Sequence, residues 1–144
     1  MRVLVDTSVW YSIYDTKETR QSVISAALSS LDNTLVVFPW PVLYEVLRTK
    51  FVKRPLLMEQ LELRLARPNV IKADDCKYRE SALRESFAAS KRHRNLSLVD
   101  CVLRQVLLDE EQRIDYFLTL NLPDFVDVCR QTGVQVYSAM PAAR

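Results

Sequence analysis

Two hydrophobic periods alternate along the 144 residues. Short apolar runs of strand type occupy residues 2–5, 34–38 (Thr-Leu-Val-Val-Phe), 69–72, 115–119 and 134–137. Between them, apolar residues recur at spacings of three and four, which predicts helices. Residues 21–31 carry Val23, Ile24, Ala27, Leu28 and Leu31 in that register. A helix from Pro41 to about Phe51 puts Val42, Leu43, Val46 and Leu47 on one face, and another from Pro55 to near Pro68 does the same with Leu56, Leu57, Leu61 and Leu65. Asp74 or Asp75 is placed to cap a long amphipathic stretch ending near Lys91, with Tyr78, Ala82, Leu83 and Phe87 as its apolar face. Ser97 caps a helix to about Leu108 that is apolar on most sides (Val99, Val102, Leu103, Val106, Leu107), the pattern of a central, buried helix. Residues 123–131 form a short last helix.

Turn chemistry agrees with this division. Asp32-Asn33 supplies a turn, Pro41 suits the first turn of the helix it opens, and Gly133 is a helix stop. Strands alternating with helices define an α/β fold with a mostly parallel sheet. No internal repeat, linker or low-complexity run divides the chain, so the expectation is one domain over residues 1–138 and a short loose tail over 139–144.

Composition narrows the classes. A 49% hydrophobic content is enough for a real core, and one Gly with six Pro argues against a turn-rich all-β fold. A single glycine, at 133, removes Gly-rich phosphate loops, and with them P-loop and dinucleotide-binding readings. The formal net charge of +2 neither demands nor excludes a nucleic-acid partner. Cys76, Cys101 and Cys129 form no Cys-x-x-Cys pair, which points to buried free thiols in a reducing compartment rather than a zinc or dithiol site. Asp6 interrupts the opening apolar stretch, and no segment approaches the roughly 20 apolar residues of a membrane span. The expectation is a soluble, cytoplasmic protein that does not engage a membrane.

The chemistry lies in the acids. The first strand stops on Asp6, with hydroxyls at Thr7 and Ser8, and a bare carboxylate ending a buried strand is costly unless something pairs with it. Glu45 follows the second strand near a helix start, Asp100 lies in the first turn of the most apolar helix, and Asp124 lies just past the fourth strand. In a parallel sheet, strand ends and the following helix starts gather on one edge, where ligands bind. Carboxylates converging there repel one another unless a cation neutralises them, and oxygen ligands suit Mg²⁺ or Mn²⁺. Such ions polarise phosphodiesters and generate hydroxide from water, so the pattern points to metal-dependent phosphodiester hydrolysis.

Plainer readings stand beside this one. Asp100 is four residues from Arg104, the spacing of a helical ion pair, and Glu45 has Arg48 and Thr49 at similar distances. Any acid in a first turn also suits the helix dipole. His93, the single histidine, sits in the basic run 91–94, so a His-dependent triad has no other candidate. Lys50, Lys53, Arg54 and residues 91–94 are available either to phosphates or simply to solvent. Trp10, Tyr11 and Tyr14 read as core packing under the first loop, with a partner surface as the alternative.

Four segments occur in order: Val-Asp-Thr-Ser-Val-Trp at 5–10, Pro-Val-Leu-Tyr-Glu-Val-Leu-Arg at 41–48, Leu-Ser-Leu-Val-Asp-Cys-Val-Leu at 96–103 and Phe-Leu-Thr-Leu-Asn-Leu-Pro-Asp-Phe at 117–125. Together they resemble PIN-domain nucleases, in particular the VapC toxins of prokaryotic type II toxin–antitoxin modules. The resemblance runs from Val3 to about Tyr137. It implies a PIN-like three-layer fold with a mostly parallel central sheet flanked by helices. It further implies a Mg²⁺- or Mn²⁺-dependent endoribonuclease acting on RNA. Asp6, Glu45 and Asp100 match the first three acidic positions, with Thr7 or Ser8 and Thr119 as supporting polar residues. At the fourth position the family often has Thr-x-Asp, whereas Thr119-Leu120-Asn121 puts an amide there; Asp124, three residues on, is the alternative ligand. The resemblance also implies a cognate antitoxin laid across the groove and a homodimer formed through the N-terminal helices. Because Asn121 is neutral, a PIN-like RNA-binding or protein-interaction module with weak or no nuclease activity is the other reading, and an RNA-processing nuclease that is not a toxin is a third.

Overall fold

The chain is described here by a computed structural model covering residues 1–14, 29 and 31–138. Five strands form one sheet: β1 (Arg2–Val5), β2 (Leu35–Pro39), β3 (Val70–Ala73), β4 (Tyr116–Thr119) and β5 (Gln135–Ser138), in the order β3-β2-β1-β4-β5. Every pairing is parallel; Val3 pairs with Val36 on one side and with Tyr116 on the other. Val3, Leu4, Val5, Val36, Val37, Phe38, Phe117 and Leu118 are all buried, as expected of parallel strands covered on both faces. The chain leaves β1 toward β2 and β3, then crosses back to lay β4 on β1's other side. The sheet therefore has its topological reversal between β1 and β4, and the strands there end at Asp6 and Thr119.

Seven α-helices lie among the described residues: α1 (Thr7–Tyr14), α2 (Trp40–Val46), α3 (Thr49–Val52), α4 (Pro55–Leu65), α5 (Arg79–Lys91), α6 (Leu98–Leu108) and α7 (Val126–Thr132). Under α1, Trp10 is fully buried and stacks on Phe38, with ring centroids 4.6 Å apart, while Tyr14 sets its edge against Phe51. Trp10 and Tyr14 are thus core packing, as the sequence suggested, whereas Tyr11 is half-buried and engages Glu45 and Arg48. The expected helix over 21–31 lies outside the described residues apart from Ser29 and Leu31, as does the 139–144 tail.

The structure corrects five expectations. The helix from Pro41 to Phe51 is two helices, because Arg48 leaves helical geometry (φ −76°, ψ 169°) and turns its guanidinium over the Tyr11 ring. The stretch before Lys91 opens with a 3-10 turn (Cys76–Tyr78): the Asp74 carboxylate accepts the Cys76 N–H at 2.9 Å, and Asp75 pairs with Arg79. In α5, Ala82 and Ala89 face inward, whereas Leu83 and Phe87 are exposed (42% and 66%); small side chains, not the largest ones, form its contact with the core. Residues 122–124 are a separate 3-10 turn before α7. Cys101 and Cys129 are buried free thiols, but Cys76 is exposed. No helix among the described residues is long and apolar enough to cross a membrane.

Gly133 ends α7 in the left-handed region (φ 76°), and a Cβ built there would meet nothing within 4 Å. The cost of Gly133→Ala is therefore backbone strain alone. Urea denaturation should show a loss of about 1 kcal/mol with an unchanged m-value.

Candidate metal centre

The end of β1 places Asp6 at the reversal of the sheet. Its backbone N–H bonds the Leu118 carbonyl at 2.9 Å, so β4 ends beside it. Two hydroxyls converge on one carboxylate oxygen, Asp6 Oδ2: Ser8 Oγ at 2.7 Å and Thr119 Oγ1 at 2.9 Å. Each hydroxyl also accepts a backbone N–H, Ser8 from Leu120 at 3.2 Å and Thr119 from Asn121 at 2.9 Å. With those N–H groups donating into them, both hydroxyls are turned to donate toward Asp6, the arrangement that favours its ionised form. Burial works the other way and wins. It pushes the Asp6 carboxyl above its ordinary value of 3.8, Ser8 and Thr119 pull it partly back, and the charge of Asp100 adds to the rise.

Glu45 is fixed from α1. Thr7 Oγ1 donates to Glu45 Oε2 at 3.0 Å, and one turn later Tyr11 donates its hydroxyl to the Glu45 carbonyl. Arg48 donates from Nε to the Tyr11 hydroxyl at 2.8 Å, so the basic residue just beyond Glu45's helix is engaged with Tyr11.

Asp100 occupies the third position of α6 and completes a capping box: the Ser97 N–H donates to Asp100 Oδ2 at 3.2 Å, and the Asp100 N–H to Ser97 Oγ at 3.1 Å. The helix-start reading is therefore realised, but it uses a single carboxylate oxygen. Burial raises the Asp100 carboxyl, Ser97 lowers it, and the charge of Asp124 raises it further. Asp6, Asp100 and Asp124 thus feel one another in sequence along the sheet edge. Asp124 is half-buried, and its carboxylate accepts the side-chain amide of Asn121; Asn121 is itself exposed.

The ion pair that spacing suggested between Asp100 and Arg104 does not form. Arg104 is buried (6% exposed) and turns to Glu85 and Asp127 instead. Among the described residues, no Lys, Arg or His forms an ion pair with Asp6, Glu45 or Asp100. A largely buried carboxylate beside the charge of Asp100, with no ion-pair partner among the described residues, is an electrostatic deficit that a hard divalent ion offsets, and oxygen donors are its preferred ligands. Among the described residues, no three His, Cys, Asp or Glu side chains stand together as a ready cage. Mg²⁺ and Mn²⁺ need no such cage: they keep several waters and take one or two carboxylates.

An open groove of about 540 Å³ runs from Glu45 past Leu83, Leu98, Val99 and Val102, and Asp6, Asp100 and Asp124 are not in its lining. Lys50, Lys53 and Arg54 are exposed, as are Lys91, Arg92 and His93. Arg94 is not available as a free phosphate contact, because it binds Asp127 and the Asp124 carbonyl. Sequence reasoning missed Tyr11, Asp127 and the true role of Arg104. The available signal was a lone arginine inside the Val102–Leu107 apolar stretch.

Arg104, helped by Arg94, holds the Asp127 carboxyl well below its ordinary 3.8. Stability from this lowered carboxylate is present above the ordinary value and is lost as pH falls toward the folded-state value. The stability gap between wild type and Asp127→Asn should therefore be full at pH 7 and shrink steadily below about pH 4, as read by denaturant titrations across pH.

A five-stranded parallel sheet flanked by helices, with acids at the reversal between its first and fourth strands, is a PIN-like fold. The same fold occurs in the crystal structure of VapBC2 from Rickettsia felis bound to a DNA fragment from their promoter. One of its chains matches with a TM-score of 0.63 at 14% sequence identity, over 96% of this chain and 98% of that one. No family model matches the sequence, and none of the curated proteins matches it significantly.

Proposed function

We propose that this chain is a divalent-metal-dependent endoribonuclease of PIN type and the toxin of a type II toxin–antitoxin module. The observation that carries the reading is Asp6: a buried carboxylate at the sheet's reversal, aimed by two hydroxyls, beside Asp100 and without a cation. Fold likeness to a chain of a VapBC complex supports a cognate antitoxin as partner. The sequence resemblance supplies RNA as substrate and a homodimer as the assembly.

In this reading, Asp6 and Asp100 are the principal ligands. Glu45 is a third ligand or orients the attacking water, and Asp124, with Asn121 beside it, is the candidate for the fourth position. Mg²⁺ or Mn²⁺, when bound, supplies positive charge against the phosphodiester and acidifies water. The protein's share is positional. Ser8 and Thr119 keep Asp6 ionised and aimed, Thr7 leaves Glu45 one free oxygen, and the Ser97 cap leaves Asp100 one free oxygen. Exposed Lys50, Lys53, Arg54, Lys91, Arg92 and His93 are available to the RNA backbone, whose splayed loop bases are the usual targets of sequence-specific readers.

The test is cleavage of an RNA panel with Mg²⁺ or Mn²⁺. Wild type should cut, and both EDTA and Asp6→Asn should stop it; equal cutting by wild type and Asp6→Asn overturns the reading. One observation favours a second reading, a non-catalytic RNA-binding or interaction module: the amide of Asn121 stands where an acid is common. Calorimetry that detects no Mn²⁺ binding would support the module. Growth arrest on expression, relieved by an antitoxin encoded alongside, separates a toxin from an RNA-processing nuclease.

A further inference from the structure

We propose that Arg104 is a positioning residue that sets where the Asp124 carboxylate stands relative to Asp100. The inference rests on the metal-site reading above. Arg104 lies one turn after Asp100 on α6, buried within the core. Its Nη1 donates to the Asp124 carbonyl and to Asp127 Oδ1, both at 2.7 Å, its Nη2 donates to Asp127 Oδ2 at 2.9 Å, and its Nε donates to Glu85. Glu85 is held in turn by Gln105 at 2.9 Å. Arg94 adds a second guanidinium on the Asp124 carbonyl at 3.0 Å. Two arginines thus grip the backbone of the residue whose carboxylate accepts the Asn121 amide.

A buried guanidinium is an expensive way to fill a core, and apolar residues of similar volume are often as stable or more so. What the guanidinium adds is a rigid fork that fixes its partners in direction as well as distance. Here the fork joins the helix bearing Asp100 to the segment bearing Asp124. That segment is only a 3-10 turn with Pro123, and little regular structure holds it. Asp100 and Asp124 repel each other, so an untied segment would swing Asp124 outward.

The experiment is Mn²⁺ titration calorimetry on the full chain, with melting temperature measured in parallel. Arg104→Lys keeps the charge and loses the fork. It should weaken Mn²⁺ binding by roughly 10–100-fold, the usual cost of removing a group that orients a ligand. In an Asp124→Asn background, the same change should have no further effect, because the residue it acts through is already disabled. Asp127→Asn removes the fork's partner from the more exposed side and should repeat both results, which covers the case where Arg104→Lys fails to fold. A lowered melting temperature with unchanged Mn²⁺ affinity would reduce Arg104 to structural glue and overturn the proposal, as would equal losses in both backgrounds. Absence of Mn²⁺ binding by wild type would remove the metal-site reading itself, and this inference with it.

Discussion

Asp6→Asn is expected to abolish RNA cleavage and, at the same time, to raise the melting temperature of the metal-free protein. The two effects come from one atom group. Asparagine has nearly the shape of aspartate, and its carbonyl oxygen can still accept the Ser8 and Thr119 hydroxyls that now reach Asp6 Oδ2. Packing at the end of β1 is therefore kept. The charge is lost, and with it, in the proposed reading, the principal anchor for a cation. Removing one preorganised charge from a reaction centre typically costs on the order of 10²–10³ in rate, and a lost metal costs more. In the absence of metal, the same charge is a burden, because burial and the neighbouring Asp100 both disfavour it. Relieving it should add about 0.5–2 kcal/mol, the usual gain when a functional compromise is removed. Single-turnover RNA cleavage and thermal melts in EDTA measure the pair of effects. A destabilised and inactive variant would mean that Asp6 is a structural residue. Saturating Mn²⁺ should reverse the order of the melting temperatures, since wild type gains from binding and the variant does not.

Trp10→Ala should be the most damaging single change to the fold. The indole is fully buried and stacked on Phe38, so its removal opens a cavity between α1 and the sheet. Truncations of this size cost roughly 3–5 kcal/mol, against a total stability of about 5–15 kcal/mol for a domain. The melting temperature should fall by on the order of 10 °C. Trp10→Phe gives the informative contrast. It keeps an aromatic ring against Phe38, and it deletes an indole N–H that has no hydrogen-bond partner among the described residues. Its cost should be well under half that of Trp10→Ala. Because α1 carries Thr7, Ser8 and Tyr11, the larger cavity should also loosen the ties to Glu45 and Asp6, and cleavage should fall even below the melting point.

The central strands β1, β2 and β4 were legible because parallel strands covered on both faces are written as nearly unbroken apolar runs. All five lie within a residue or two of where the pattern put them. Asp6 was legible for the same reason, since a charge ending such a run has few structural excuses. Caps and stops were legible as local chemistry, Ser97 and Gly133 among them. What the pattern hid was decided by distant partners. The break at Arg48 depends on the ring of Tyr11, and the inward face of α5 depends on alanines fitting where Leu83 and Phe87 do not. Arg104 is the sharpest case. Helical spacing offered it Asp100, but burial brought it Glu85 and Asp127, 19 and 23 residues away. The order of strands in the sheet, which puts Asp6 beside Thr119, is likewise a property of the assembled fold.

That order has a consequence for how the molecule comes into being. β1 is made first, yet the hydroxyl of Thr119 reaches Asp6 across 113 residues of chain. At roughly 5–20 residues per second of synthesis, the first half of the centre waits about 6–20 s for the second. The central strand also stays open along one edge until β4 arrives. A growing chain on the ribosome therefore holds Asp6 with Ser8 but without Thr119 until β4 has been made. The acids at the sheet's reversal come together only after α6 and β4 have both followed β1 out.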